Sequence, residues 1–240
     1  DSGPTGFATL SAGPDYYGPG RGPANSLNVL VDAYRVSGDR KFLNKAEEII
    51  ARVVHPSEDI ARNRLDEPEL RWFYTMFLES PGKYLHYKVE LGELDRAYAY
   101  GRAALLHYAR WMADHEYPYL DKPERLEFPT ETWAAQDISK SDIFHYASMH
   151  AGPADRLRFD ERGRFFHDHS IATLQGKPTR ALARPVVILQ TSGLLDGWRR
   201  GHQDFAEPAP VAGTEDFGQP RPFVSQRTRA VARARAFAAI

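Results

Sequence analysis

Between residues 25 and 198 apolar side chains return every third or fourth position, the spacing of one face of an α-helix. Leu27, Leu30, Val31 and Tyr34 form the first stripe, and Ser37-Gly38 stops it. Asp39 then stands as N-cap to a second helix with Phe42, Leu43, Ala46, Ile49, Ile50 and Val53 on one face, closed by His55-Pro56. So short a connection makes the two helices antiparallel neighbours. The second pair is longer. Asp66 is expected to cap a helix through Leu70, Phe73, Tyr74, Phe77 and Leu78, with Pro81 kinking or restarting it before Tyr84, Leu85, Tyr87 and Val89. After Gly92 a helix from about Glu93 to His115 returns, turning Ala97, Tyr100, Ala104, Leu105, Tyr108 and Trp111 inward. In the third pair Thr130 or Thr132 caps a helix through Trp133, and Asp137 to His150 continues as helix, with or without a break between them. Gly152-Pro153 turns the chain, and Arg156 to Leu174 runs back. A last helix is expected from Thr179 to about Leu195. Its Val186, Val187 and Ile188 would also suit a strand, but the helical context favours helix.

The ends differ from this middle. Residues 1–24 are rich in Gly and Pro and read as a loop leading into the first helix near Pro23 or Ala24. Residues 199–240 read as an extended loop followed by an Arg-rich C-terminal tail, with Arg227, Arg229, Arg233 and Arg235 on a helix. Those arginines either lie on their own domain, the favoured reading, or touch phosphate or anionic lipid.

The segment NVLVDAYRVSGDRKFLNKAEEIIARVV, from Asn28 to Val54, is helix, "SGD" turn, helix. It resembles the repeating hairpin of the six-hairpin glycosidase and α/α-toroid superfamily, a group of glycoside hydrolases, polysaccharide lyases and sugar epimerases. The resemblance covers about residues 23–200, roughly three and a half hairpins, fewer than a closed ring of six. It implies an all-α fold of antiparallel helical hairpins forming a partial or complete α/α toroid. It also implies a carbohydrate-active protein that opens a glycosidic bond of an oligo- or polysaccharide by hydrolysis or β-elimination, within a chain that carries further domains. It transfers no catalytic residue. The rival expectation is a non-catalytic helical domain that binds a glycan or protein partner, or acts as a scaffold.

Composition narrows the chemistry. Cysteine is absent, which removes disulfides, Cys-ligated zinc, iron–sulfur clusters and thiol nucleophiles. The formal net charge of -1 implies no global attraction to nucleic acid. No apolar run approaches the roughly 20 residues of a membrane span. No cofactor motif appears: GPGRGP lacks the Gly-Lys-Ser/Thr ending of a phosphate-binding loop. No metal site is expected either, because His167 and His169 diverge on a helix and no HxxxH pair exists. The compartment stays open, with an extracytoplasmic one slightly favoured. Aromatics make up 12%, and exposed Tyr and Trp rings would suit sugar stacking, although most serve a core.

Three clusters carry candidate chemistry. Between Phe128 and Tyr146 stand Glu131, Trp133, Asp137, His145 and Tyr146. Glu131 and Asp137 would serve as a hydrolase pair, one protonating the leaving oxygen and one activating water. On one continuous helix they diverge by roughly 240°, so either a break in the helix or a partner carboxylate elsewhere is required. The alternative is structural: Glu131 meets the helix dipole and Asp137 caps the next helix. Chemistry is therefore expected at Glu131, Asp137, His145 and Tyr146, with Trp133 as a stacking platform. In the loop before the first helix, Tyr16, Tyr17, Arg21 and Asn25 offer rings and donors, and Arg21 could hold a uronate carboxylate bidentately. In the loop after His115, His115 and Tyr117 are cleft candidates.

Overall fold

The structure is a computed structural model and describes residues 18–178, 183–213, 215–220 and 226–238. The chain is all-helical, with no strand among the described residues. α1 (Arg21–Ser37) ends where Gly38 takes φ 68°, a left-handed conformation that lets its N–H return to the Tyr34 carbonyl. Asp39 then accepts from the Lys41 N–H at 3.0 Å and starts α2 (Arg40–Val53). The short α3 (Pro68–Arg71) precedes α4 (Tyr74–Glu90), and Asp95 caps α5 (Arg96–His115) through the Tyr98 N–H at 3.0 Å. α6 (Glu131–Gln136) breaks at Asp137, and α7 (Ile138–His150) turns into α8 (Pro153–Gln175). α9 (Ala183–Thr191), α10 (Leu194–Gly201) and α11 (Gln226–Ala238) complete the chain.

Three features depart from the periodicity, the first being that the last helix, expected as one to about Leu195, breaks at Gly193 (φ 92°) into α9 and α10. The α4 helix does not restart at Pro81 but continues through it, and the break lies at Trp72-Phe73, between α3 and α4. α4 packs against α1, α5 and α7, and that burial outweighs one lost backbone hydrogen bond. The cap expected at Asp66 is also absent, since α3 starts after Glu67 with Pro68 in its first turn.

The helices form two rows. α1 packs on α4 and α4 on α7; behind them α2 packs on α5 and α5 on α8. Each sequential pair, α1 with α2, α4 with α5 and α7 with α8, spans the two rows. Leu27, Leu43, Phe77, Leu85, Tyr108, Phe144, Phe159 and Phe166 fill the space between. α7 sits among α4, α5, α8 and α10, and nearly all of its side chains are buried. It therefore has no polar face, and its Lys140, Asp142, His145 and His150 must find partners inside the protein.

Candidate functional site

The front row carries a groove. The larger of its two chambers is about 500 Å³ and has α1, α4 and α9 as walls. Arg21, Asn25 and Asn28 project from α1. Met76, Glu79 and Lys83 follow at helical spacing on α4, below Trp72. Gln136 and Ser139, both buried, flank the break between α6 and α7, and Arg184, Ile188 and Thr191 come from α9. The Arg21 guanidinium lies 5.1 Å from the Trp72 ring centroid. Asn28 and Lys83 also line a second chamber of about 440 Å³, with Asp32, Arg35, His86, Tyr87, Glu90 and Tyr146. Gly82 makes room for Tyr146 there, because a Cβ at position 82 would overlap the ring.

Glu79 is the unusual group. It is 9% exposed, and its Oε1 has no hydrogen-bond partner among the described residues. Burial, reinforced by the nearby Asp142 carboxylate, pushes its pKa from 4.5 up to about 7, against the opposing pull of Ser139, Lys83 and Ser192. Asp142 is itself raised by burial, although the Gly193 N–H donates to its Oδ2 at 2.9 Å. A carboxyl half-protonated near neutrality in a cleft can give or take a proton there.

The residues singled out in the sequence are dispersed. Arg21 and Asn25 line the larger chamber, and Tyr146 the adjoining one. Glu131 occupies the first turn of α6, outside both chambers. The Trp133 indole N–H donates to the Phe128 carbonyl at 3.0 Å, and its ring meets Tyr119 edge-on. His115 stacks on Trp111, while Tyr117 lies under the Lys122 ammonium and accepts from Arg125. Tyr16 and Tyr17 lie outside the described residues.

Asp137 and His145 belong to two buried networks. Lys140, fully buried, places its Nζ 2.8 Å from Asp137 Oδ1 and 2.7 Å from Glu116 Oε2, and donates to the Tyr117 carbonyl. The Tyr119 N–H takes the other Asp137 oxygen at 3.0 Å, and the Tyr74 hydroxyl donates to Glu116 at 2.6 Å. Burial raises Asp137 to about 6, with Lys140 pulling the other way. His145 bonds Asp196 through Nε2 at 2.9 Å and faces Asp160. Arg199 grips Asp160 with two bonds of 2.8 and 2.9 Å and donates to the carbonyls of His202, Gln203 and Phe205. His167, Asp168 and Asp196 come within 4.8 Å of one another, a spacing that could hold a cation. Arg200 already bonds both carboxylates at 2.6 Å, which makes the group an ion-pair network.

Glu79, Trp72, Lys83 and Arg184 were not anticipated. The available signal was Glu79 standing between Leu78 and Ser80 on the face that continues from Trp72 and Met76 to Lys83. Among the described residues, no helix is long and apolar enough to cross a membrane. In comparisons with known proteins, the chain matches no family model, no curated protein and no solved structure.

Proposed function

We propose that this chain is a carbohydrate-active protein that opens a glycosidic bond of an oligo- or polysaccharide, by hydrolysis or by β-elimination. The observation that carries the reading is the Glu79 carboxyl: buried, without a partner on Oε1, poised near neutrality and lining a groove. Glycosidic cleavage by either route requires a proton at the leaving oxygen, and a carboxylic acid with a raised pKa supplies it. The amides of Asn25, Asn28 and Gln136 offer donors and acceptors to sugar hydroxyls, and the Trp72 indole offers apolar surface to a pyranose face. The two-row stacking of three hairpins suits a partial or complete α/α toroid of the six-hairpin type, with the groove on the row that would face the hollow. On this reading Arg21, Asn25 and Tyr146 keep the binding or catalytic roles expected from their sequence context, and Glu79 takes the role of proton donor.

The test is a panel of acidic and neutral polysaccharides incubated with the full chain, reading reducing ends and the ultraviolet absorbance of unsaturated uronate. New ends with absorbance indicate elimination, and ends without it hydrolysis. Glu79→Gln should remove turnover by roughly a hundredfold or more. Silence across the panel, or full activity in Glu79→Gln, would overturn the reading.

A further inference from the structure

Many cations among the described residues are held in ion pairs. Arg110 meets Asp155, Arg158 meets Asp114, Arg199 meets Asp160 and Arg200 meets Asp196. Arg21, Lys83 and Arg184 converge: all three line the larger chamber, and none has a carboxylate within ion-pair distance among the described residues. Among the described residues of that lining Glu79 alone is acidic, and burial leaves it only half-ionised near neutrality. Three like charges facing one concave space repel each other and attract anions, and low-dielectric walls concentrate that field. The adjoining chamber is different in kind. There Asp32 and Glu90 join Arg35, His86 and the shared Lys83, and the rings of Tyr146 and Tyr87, the latter carrying the Arg35 guanidinium, complete the wall.

Resting on the carbohydrate reading above, we propose that the ligand is an anionic glycan of at least two units. Its carboxylate or sulfate group sits among Arg21, Lys83 and Arg184, and the neighbouring unit lies in the chamber of Tyr87 and Tyr146. Both anionic groups present planar or tetrahedral oxygens to guanidinium and ammonium donors, the pairing those cations accept best. Asn28 and Lys83, shared by both chambers, mark where the chain passes from one to the other.

The test is calorimetric binding with the full chain in the Glu79→Gln background, which prevents turnover. The probes are galacturonate oligomers, heparin-derived oligosaccharides and neutral cello-oligosaccharides of one to six units. Acidic oligomers should bind and neutral ones of equal length should bind far more weakly; affinity should rise from one unit to two and fall with added salt. Preference for galacturonates identifies a carboxylate, and preference for heparin fragments a sulfate. Arg184→Gln and Lys83→Gln, both at exposed side chains, should each weaken acidic binding by roughly tenfold or more and weaken neutral binding far less. Tight binding of the neutral series, or unaltered acidic affinity in both variants, overturns the anionic proposal while the carbohydrate reading stands. No binding by any probe overturns both.

Discussion

If Glu79 is held in its acid form by burial, its conservative amide should stabilise the protein, and should do so only at higher pH. In the unfolded chain the carboxyl releases its proton near 4.5; in the folded one it holds on to about 7. Between those values the folded state binds the extra proton. Folding stability therefore declines as pH rises through that window and levels off above it. The full shift corresponds to about 3 kcal/mol. Glu79→Gln keeps the shape and has no charge to bury, so it should match the wild type near pH 4. Near pH 8 it should exceed the wild type by up to about 3 kcal/mol, or roughly 6–12 °C in Tm for a domain of this size. The assay is urea or thermal unfolding of both proteins across that pH range, plotted as the difference between them. A difference that does not change with pH would refute the argument, because it would mean that the carboxyl ionises alike in both states. Gaining stability while losing turnover is the pattern of a residue retained for function at the expense of the fold.

Two further predictions probe the framework beneath the groove. Lys140→Met should leave Glu116 and Asp137 buried without their cation and cost about 3–5 kcal/mol by urea denaturation at neutral pH; a loss below about 1 kcal/mol would show that the carboxylates are neutralised without the lysine. Gly163→Ala places a Cβ 2.6 Å from His145 Cε1, against a ring tied by Asp196, and should cost about 1–3 kcal/mol in the same assay; a neutral result would mean that the His145 ring is free to shift.

Local rules account for the elements themselves. The stripes of α1 and α2, the stop at Gly38 and the Asp39 cap were all legible from spacing and residue type, because each depends on contacts within a turn or two of the chain. The short connections between helices also made the hairpin pairs legible. What periodicity could not reveal was which face of each hairpin meets the next, since that choice rests on side-chain packing between segments far apart in sequence.

The consequences are sharpest in α7. Lys140, Asp142 and His145 read locally like a surface helix, yet burial on every side turns them into internal ion pairs and hydrogen bonds. Asp137 has the composition of a catalytic carboxylate, but a lysine one turn away and the backbone of Tyr119 occupy it. Glu79 has no distinguishing local context. It becomes the candidate proton donor only because α1, α6 and α9 enclose it, and Asp142 arrives from another helix to raise its pKa. Helix and turn are properties of neighbouring residues, and the amino-acid order determined them; desolvation and charge proximity are properties of the assembled protein, and the packing of the helix rows decided those.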